Sequence, residues 1–204
     1  MAKKKIKPTA PAGYSLDRLS AVPALIGDPS RFLIVAGLAG TAKDMAALTE
    51  DGDNLYALAG AMGAATMMGL GLALAQPKRQ VLVVTGDGEL LMNVGSLATI
   101  AVHNPANLSV ICVDNGHYGE TGYQQSHTSL GVDLEAIAQG SGIAATRTVA
   151  TEGDIEPASQ LIGQGNGTSF VLLRVKPTDP PKYKRLLDSA ATRHRFRNAL
   201  LSTP

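Results

Sequence analysis

A chain of 204 residues, 45% hydrophobic and 17% charged, has the size and make-up of one folded domain and not of a disordered segment. A formal charge of +1 gives no electrostatic drive towards nucleic acid. The single cysteine, Cys112, excludes an internal disulfide, a multi-cysteine metal site and an iron–sulfur cluster.

Residues 1–30 read as an N-terminal segment with a short helix. The segment opens with MAKKKIKPTAPAGYS, basic but followed by Pro and Gly where a signal peptide would carry an apolar run. A cytoplasmic location is therefore expected. Residues 31–176 form the main domain. Its first strand is RFLIVA (31–36), which breaks at GLAGT before helical spacing resumes from Lys43 to Leu48. Leu55 to Gln76 then runs without a charge and is long enough to cross a bilayer. That run is built mainly from Ala, Gly and Met, with no Ile, Val or Phe, and suits close packing on a sheet or a second subunit. A helix is expected over Ala61–Ala75, and no membrane span.

The next strands are QVLVVTG (80–86), LSVICVDN (108–115), the weaker AATRTVA (144–150) and SFVLLRV (169–175). Helical patterns fall between them, from near Glu89, at Gly95–His103, at Asp133–Gln139 and at Pro157–Gln164. Continuous β-branched strands alternating with helices predict a three-layer α/β/α sandwich around a mainly parallel sheet, with right-handed crossovers. Cys112 reads as a buried structural thiol and His103 as a helix-terminal surface residue. Residues 177–204 form a basic tail with three early prolines and Lys182, Lys184, Arg185, Arg193, Arg195 and Arg197, expected to be a solvated helix on a Pro-rich tether.

Two strand ends carry groups able to hold a cation: Gly86-Asp87-Gly88 and Asp114-Asn115-Gly116-His117. Asp87 and Asn115 stand 28 positions apart, enough for a crossover helix and the next strand, so both can meet at one sheet edge. A carboxylate plus an amide carbonyl is a hard, oxygen-only pair suited to Mg²⁺ or Ca²⁺. The glycines let backbone N–H groups approach a phosphate, and the helix after Gly88 offers its positive end. Each signal alone is an ordinary turn; the pairing and spacing make them informative.

The stretch GDGELLMNVGSLATIAVHNPANLSVICVDNGHYG resembles the thiamine-diphosphate-binding motif. Its surroundings, including GAMGAATMMGLGLALA, resemble the β-subunit or C-terminal half of the sulfopyruvate and phosphonopyruvate decarboxylases. The resemblance implies the thiamine-diphosphate-binding fold, with thiamine diphosphate and Mg²⁺ as cofactors. It implies that Asp87 and Asn115 hold Mg²⁺ through their side chains and His117 through its main-chain carbonyl. It places Gly86, Gly88 and the Glu89 backbone at the diphosphate, the Gly60 carbonyl at the aminopyrimidine, and Met62 as the apolar wedge beneath the cofactor. Gly40, Thr41 and Gly119 are further expected cofactor contacts. Glu89 departs from the serine common after GDG in the related decarboxylases, so its carboxylate should turn away from the diphosphate. Glu120 and His127 are the candidate catalytic residues, with Gln124 as a further substrate contact.

In that family a glutamate on a separate pyrimidine-binding domain activates the cofactor, and this chain has no room for such a domain. An α-subunit partner carrying that glutamate is therefore implied, with part of Leu55–Gln76 at the interface. The implied activity is decarboxylation of a small anionic 2-oxo acid. The alternatives are an acetolactate-synthase-like carboligase subunit and a non-catalytic Rossmann-like nucleotide-binding module. The last would use VAGLAGTAKD as a phosphate loop, but lacks the spaced GxGxxG pattern.

Overall fold

A computed structural model describes residues 8–58, 60–184 and 186–202; the basic start of the chain and Arg185 of the tail lie outside the described residues. In chain order the elements are α1 (Arg18–Ile26), β1 (Phe32–Ala36), α2 (Gly40–Leu48), β2 (Leu55–Ala57), α3 (Ala65–Ala75), β3 (Gln80–Gly86), α4 (Asp87–Leu91), α5 (Ser96–His103), β4 (Leu108–Asp114), β5 (His117–Tyr118), β6 (Gln124–Gln125), α6 (Leu134–Gly140), β7 (Ala145–Val149), α7 (Ile155–Ser159), β8 (Ser169–Arg174) and α8 (Ser189–Ser202). Six strands form one parallel sheet in the order β2-β1-β3-β4-β8-β7, while β5 and β6 make a small antiparallel hairpin beside it.

The sheet is buried on both faces, which is why its strands read as unbroken apolar runs. Alternate residues serve opposite cores. Phe32, Ile34, Leu82, Val84, Ile111 and Leu173 pack with α1, α2 and α7. Leu33, Val35, Val83, Val110, Cys112 and Phe170 pack with α3, α5, α6 and Phe196 of α8. The result is a three-layer α/β/α sandwich. Asn107, just before β4, ties one end of α3 to the sheet by donating its side-chain amide to the carbonyls of Ala73, Gln76 and Arg79 at 3.1, 3.0 and 2.8 Å. Asn107→Ala removes the donor these carbonyls share, although Gln76 still accepts the Arg79 N–H at 3.0 Å, and is expected to cost about 2 kcal/mol, read as a lower urea midpoint with an unchanged slope.

The uncharged run does not form one helix. Leu55–Ala57 is the edge strand, residues 58–64 are irregular, and α3 begins at Ala65, four residues later than its spacing predicts. Gly63, at φ 76°, lies in the left-handed region and stops a helix from running through it. Among the described residues no helix is long and apolar enough to cross a membrane. Gly69 lets α3 sit directly on β3, since a Cβ there would fall 2.1 Å from Val83 Cγ2.

The tail helix packs on the domain and is not simply solvated. Phe196 meets Tyr56 edge-on with ring centroids 5.8 Å apart, and Arg195 bonds both carboxylate oxygens of Asp51 at 3.1 Å. The segment before α1 also joins the fold. Leu16 bridges Val175 in parallel, just beyond the end of β8, and Pro11 lies against Gly116.

Candidate functional site

The connection leaving β1 runs to β2 on one side and that leaving β3 runs to β4 on the other, so a crevice opens beyond the carboxyl ends of β1 and β3. A cavity of about 460 Å³ occupies that edge. Its wall is drawn from the loop after β1 and the start of α2, from Gly86 to Glu89, from Asn115 to Tyr123, and from residues 178–180. Ala39, at φ 64°, holds a conformation that side chains rarely adopt, and Gly40 then starts α2 at the rim of the cavity.

The two motifs meet here. Gly40, Thr41, Met62, Gly86, Asp87, Gly88, Glu89, Asn115, His117, Gly119 and Glu120 all line the cavity. Three expected residues do not. Gly60 is exposed with nothing within 4 Å of a would-be Cβ, and His127 sits exposed on a short 3-10 turn, outside the lining. Gln124 is likewise exposed and bonds Thr121. The loop between Tyr118 and Ser126 folds as a hairpin with Gln124 and Gln125 turned outward, a geometry that sequence spacing in an irregular loop does not reveal.

Asp87 opens α4 and is 3% exposed. Its Oδ2 accepts a hydrogen bond from Ser126 Oγ and lies 3.2 Å from Thr128 Oγ1. Thr128 has one hydroxyl proton, and the nearer acceptor is Asp114 Oδ1 at 2.7 Å. Asp114 also accepts from the Tyr14 hydroxyl at 2.6 Å and from the Gly116 N–H at 2.9 Å. Two carboxylates are thus buried side by side, and Asp114 takes most of the donors. Burial first, and then the charge of Asp114, pushes the Asp87 carboxyl up to about 7. Burial raises Asp114 as well, against the lowering effect of its donors. Among the described residues no Lys or Arg forms an ion pair with Asp87.

Asn115 Oδ1 accepts the His117 N–H at 3.0 Å, and the His117 ring bonds back to the Asn115 carbonyl at 2.9 Å. The imidazole is thereby engaged by its own loop. Glu89 is 4% exposed and does turn back towards β1, where Oε2 accepts the Leu38 N–H at 3.0 Å. Its Oε1 is buried, and among the described residues it has no hydrogen bond of normal geometry. Gly37 makes room for this carboxylate, since a Cβ there would overlap it. Gly88 makes room for the Tyr118 ring, 2.2 Å from its would-be Cβ.

Sequence reasoning missed several members of this site. Arg18 and Lys43 bring cationic side chains to the wall, with Arg18 bound to buried Asp44 and Lys43 reaching Glu120 at 3.6 Å. Tyr123 donates to Asp179 at 2.7 Å, joining the hairpin loop to the tail. Tyr14, Ser126 and Thr128 steady the acidic pair. Only Asp114, adjacent to Asn115, carried a local signal.

Among the described residues no three His, Cys, Asp or Glu side chains converge as a cation site. A cation at Asp87 would have to draw on an amide, main-chain carbonyls and oxygens of its own ligand. Such a donor set suits a hard divalent ion bound with a phosphate.

The sequence profile described as "Thiamine pyrophosphate enzyme, C-terminal TPP binding domain" matches residues 39–173. The chain is 35% identical to the phosphonopyruvate decarboxylase of Streptomyces viridochromogenes, over 92% of this chain and 47% of that protein. It is 34% identical to the sulfopyruvate decarboxylase subunit beta of Methanothermobacter thermautotrophicus, over 79% of this chain and 83% of that one. The chain thus spans about half the length of the phosphonopyruvate decarboxylases it matches. Benzoylformate decarboxylase from Polynucleobacter necessarius shares the fold at a TM-score of 0.64 and 19% identity, covering 81% of this chain and 34% of that one.

Proposed function

Because the chain belongs to the thiamine pyrophosphate enzymes, as their C-terminal cofactor-binding domain, we propose that it is the cofactor half of a decarboxylase acting on a small anionic 2-oxo acid of the sulfopyruvate or phosphonopyruvate type. The observation that carries this is the meeting of the two motif loops in one cavity at the β1/β3 crevice. The names of the relatives support the substrate class.

Asp87 and Asn115, with the His117 main-chain carbonyl, would hold Mg²⁺. A cation there offsets the repulsion between two buried carboxylates that the fold otherwise leaves standing. Thiamine diphosphate, if bound there, would supply the electron sink that decarboxylation of a 2-oxo acid requires. Gly86, with nothing within 4 Å of a would-be Cβ, keeps the approach to the diphosphate open, Gly88 lets the Tyr118 ring pack against the motif loop, and Met62 gives an apolar floor. Glu120, at the cavity wall beside Lys43, holds and delivers a proton in the later steps. The glutamate that activates the pyrimidine comes from a partner α-subunit, which also closes the cavity from water. Gly60, exposed as it is, offers its carbonyl on that side.

The test is co-expression with neighbouring chains, followed by CO₂ release from sulfopyruvate, phosphonopyruvate and pyruvate with Mg²⁺ and thiamine diphosphate. The expected result is release from one of the two anionic acids only when a pyrimidine-domain chain is present, with pyruvate slow. Formation of acetolactate from pyruvate would instead identify a carboligase. Absence of Mg²⁺-dependent cofactor binding with any partner would sink the cofactor reading altogether.

A further inference from the structure

Arg18 lies outside both motif loops and outside the matched residues 39–173, yet its side chain forms part of the cavity wall. It is 4% exposed and is gripped by Asp44 through two bonds, Nε to Oδ1 at 3.2 Å and Nη2 to Oδ2 at 2.5 Å. The guanidinium also rests on the first residue of α2: a Cβ on Gly40 would lie 2.7 Å from Nη2 and 3.0 Å from Nη1. A buried ion pair of this kind adds little net stability, because desolvating two charges offsets their attraction. What it provides is a fork fixed in orientation. Asp44 occupies Nε and Nη2, and Nη1 is the nitrogen it does not take.

The charges around the cavity are uneven. Four acidic residues, Asp87, Glu89, Glu120 and Asp179, belong to the lining, although the Glu89 carboxylate itself turns back to the Leu38 N–H. Among the described lining residues only Arg18 and Lys43 are Arg or Lys, and Lys43 is engaged with Glu120. A ligand with several negative charges entering such a space is held more tightly where a cationic group of the protein adds to any metal and to backbone N–H groups. A planar guanidinium matches phosphate oxygens better than an ammonium does.

We infer that Arg18 is a phosphate-binding residue of this cavity, seated by Asp44 and Gly40 to take oxygens of the cofactor's diphosphate on the α2 side. The inference rests on the cofactor reading above. Arg18→Met alone would leave Asp44 buried without its counter-charge and threaten the fold. The paired variant Arg18→Met/Asp44→Leu removes both charges together, and Arg18→Lys keeps the charge without the fork.

The full chain, with its partner present, is titrated with thiamine diphosphate in Mg²⁺, and the cofactor is then displaced with inorganic pyrophosphate; melting temperatures are measured alongside. The paired variant is expected to raise the cofactor Kd by about tenfold to a hundredfold and the pyrophosphate inhibition constant by a similar factor, with Arg18→Lys in between. Unchanged constants overturn the inference. So does weaker cofactor binding with an unchanged pyrophosphate constant, which would place the effect in the fold and not at the phosphates. If the wild-type chain binds no thiamine diphosphate, the cofactor reading fails and takes Arg18 with it; wild-type binding that the variants leave untouched removes Arg18 alone.

Discussion

Asp87→Asn is expected to give a protein that at neutral pH is more stable than the wild type and holds thiamine diphosphate far more weakly. The side chain is nearly isosteric, so the two effects share one cause. Asp87 is buried beside Asp114 with a carboxyl raised to about 7. Folded Asp87 therefore keeps its proton between about pH 4 and 7, where an unfolded Asp has already lost it. Over that window, rising pH favours the unfolded chain. Near pH 4 the protonated acid and the amide are alike, and the two melting temperatures should nearly coincide. The gap should open as pH climbs and be complete above 7, on the order of a few kcal/mol. Mg²⁺ with thiamine diphosphate should close it for the wild type alone. Cofactor affinity should fall roughly a hundredfold or more, since even outer partners of metal ligands cost about 10- to 100-fold. Melting curves across pH, with and without Mg²⁺ and cofactor, read both halves. A gap that does not vary with pH would refute the electrostatic account while leaving the ligand role standing.

Gly69→Ala should be strongly destabilising for the addition of a single methyl group. On an exposed helix position the change would add up to about 1 kcal/mol of stability. At Gly69 the new Cβ would stand 2.1 Å from Val83 Cγ2, at the centre of the sheet, where neither α3 nor β3 can yield cheaply. A loss of about 3 kcal/mol is expected. Gly71, two residues along the same helix, has nothing within 4 Å of its would-be Cβ, and Gly71→Ala should stabilise. Opposite signs from one helix in urea unfolding would attribute the effect to the helix–sheet contact. Restoration by Val83→Ala in the Gly69→Ala background would locate it at that pair.

Much of this arrangement was legible in the sequence, for identifiable reasons. Strands buried on both faces appear as unbroken apolar runs, so β1, β3, β4 and β8 could be read directly. The paired motif loops stood out because a carboxylate between glycines at the end of such a run has no packing role. The three-residue edge strand β2 was hidden, since Leu55–Ala57 merges into a run of small residues whose strand character comes only from pairing with β1. His127 was expected at the cavity because it follows the motif closely in sequence, but the β5–β6 hairpin carries it outward. Arg18 could not have been found by pattern. Its partner Asp44 is remote in sequence, and the contact exists only because α1 and α2 pack on the same face of the sheet. Phe196 likewise reveals its role only where the tail meets Tyr56.

The segment ahead of α1 has a geometric consequence for any domain joined to it. Pro11 lies against Gly116, Tyr14 bonds Asp114, and Leu16 bridges Val175, so the chain enters the fold at the edge that carries the cavity. A domain tethered upstream would start its search beside the cavity and not across the molecule from it. With a short flexible link its effective concentration there would be in the millimolar range. A fused arrangement and a two-chain arrangement could then present the same surface to the cofactor, and differ mainly in how dilute the protein can become before the halves separate.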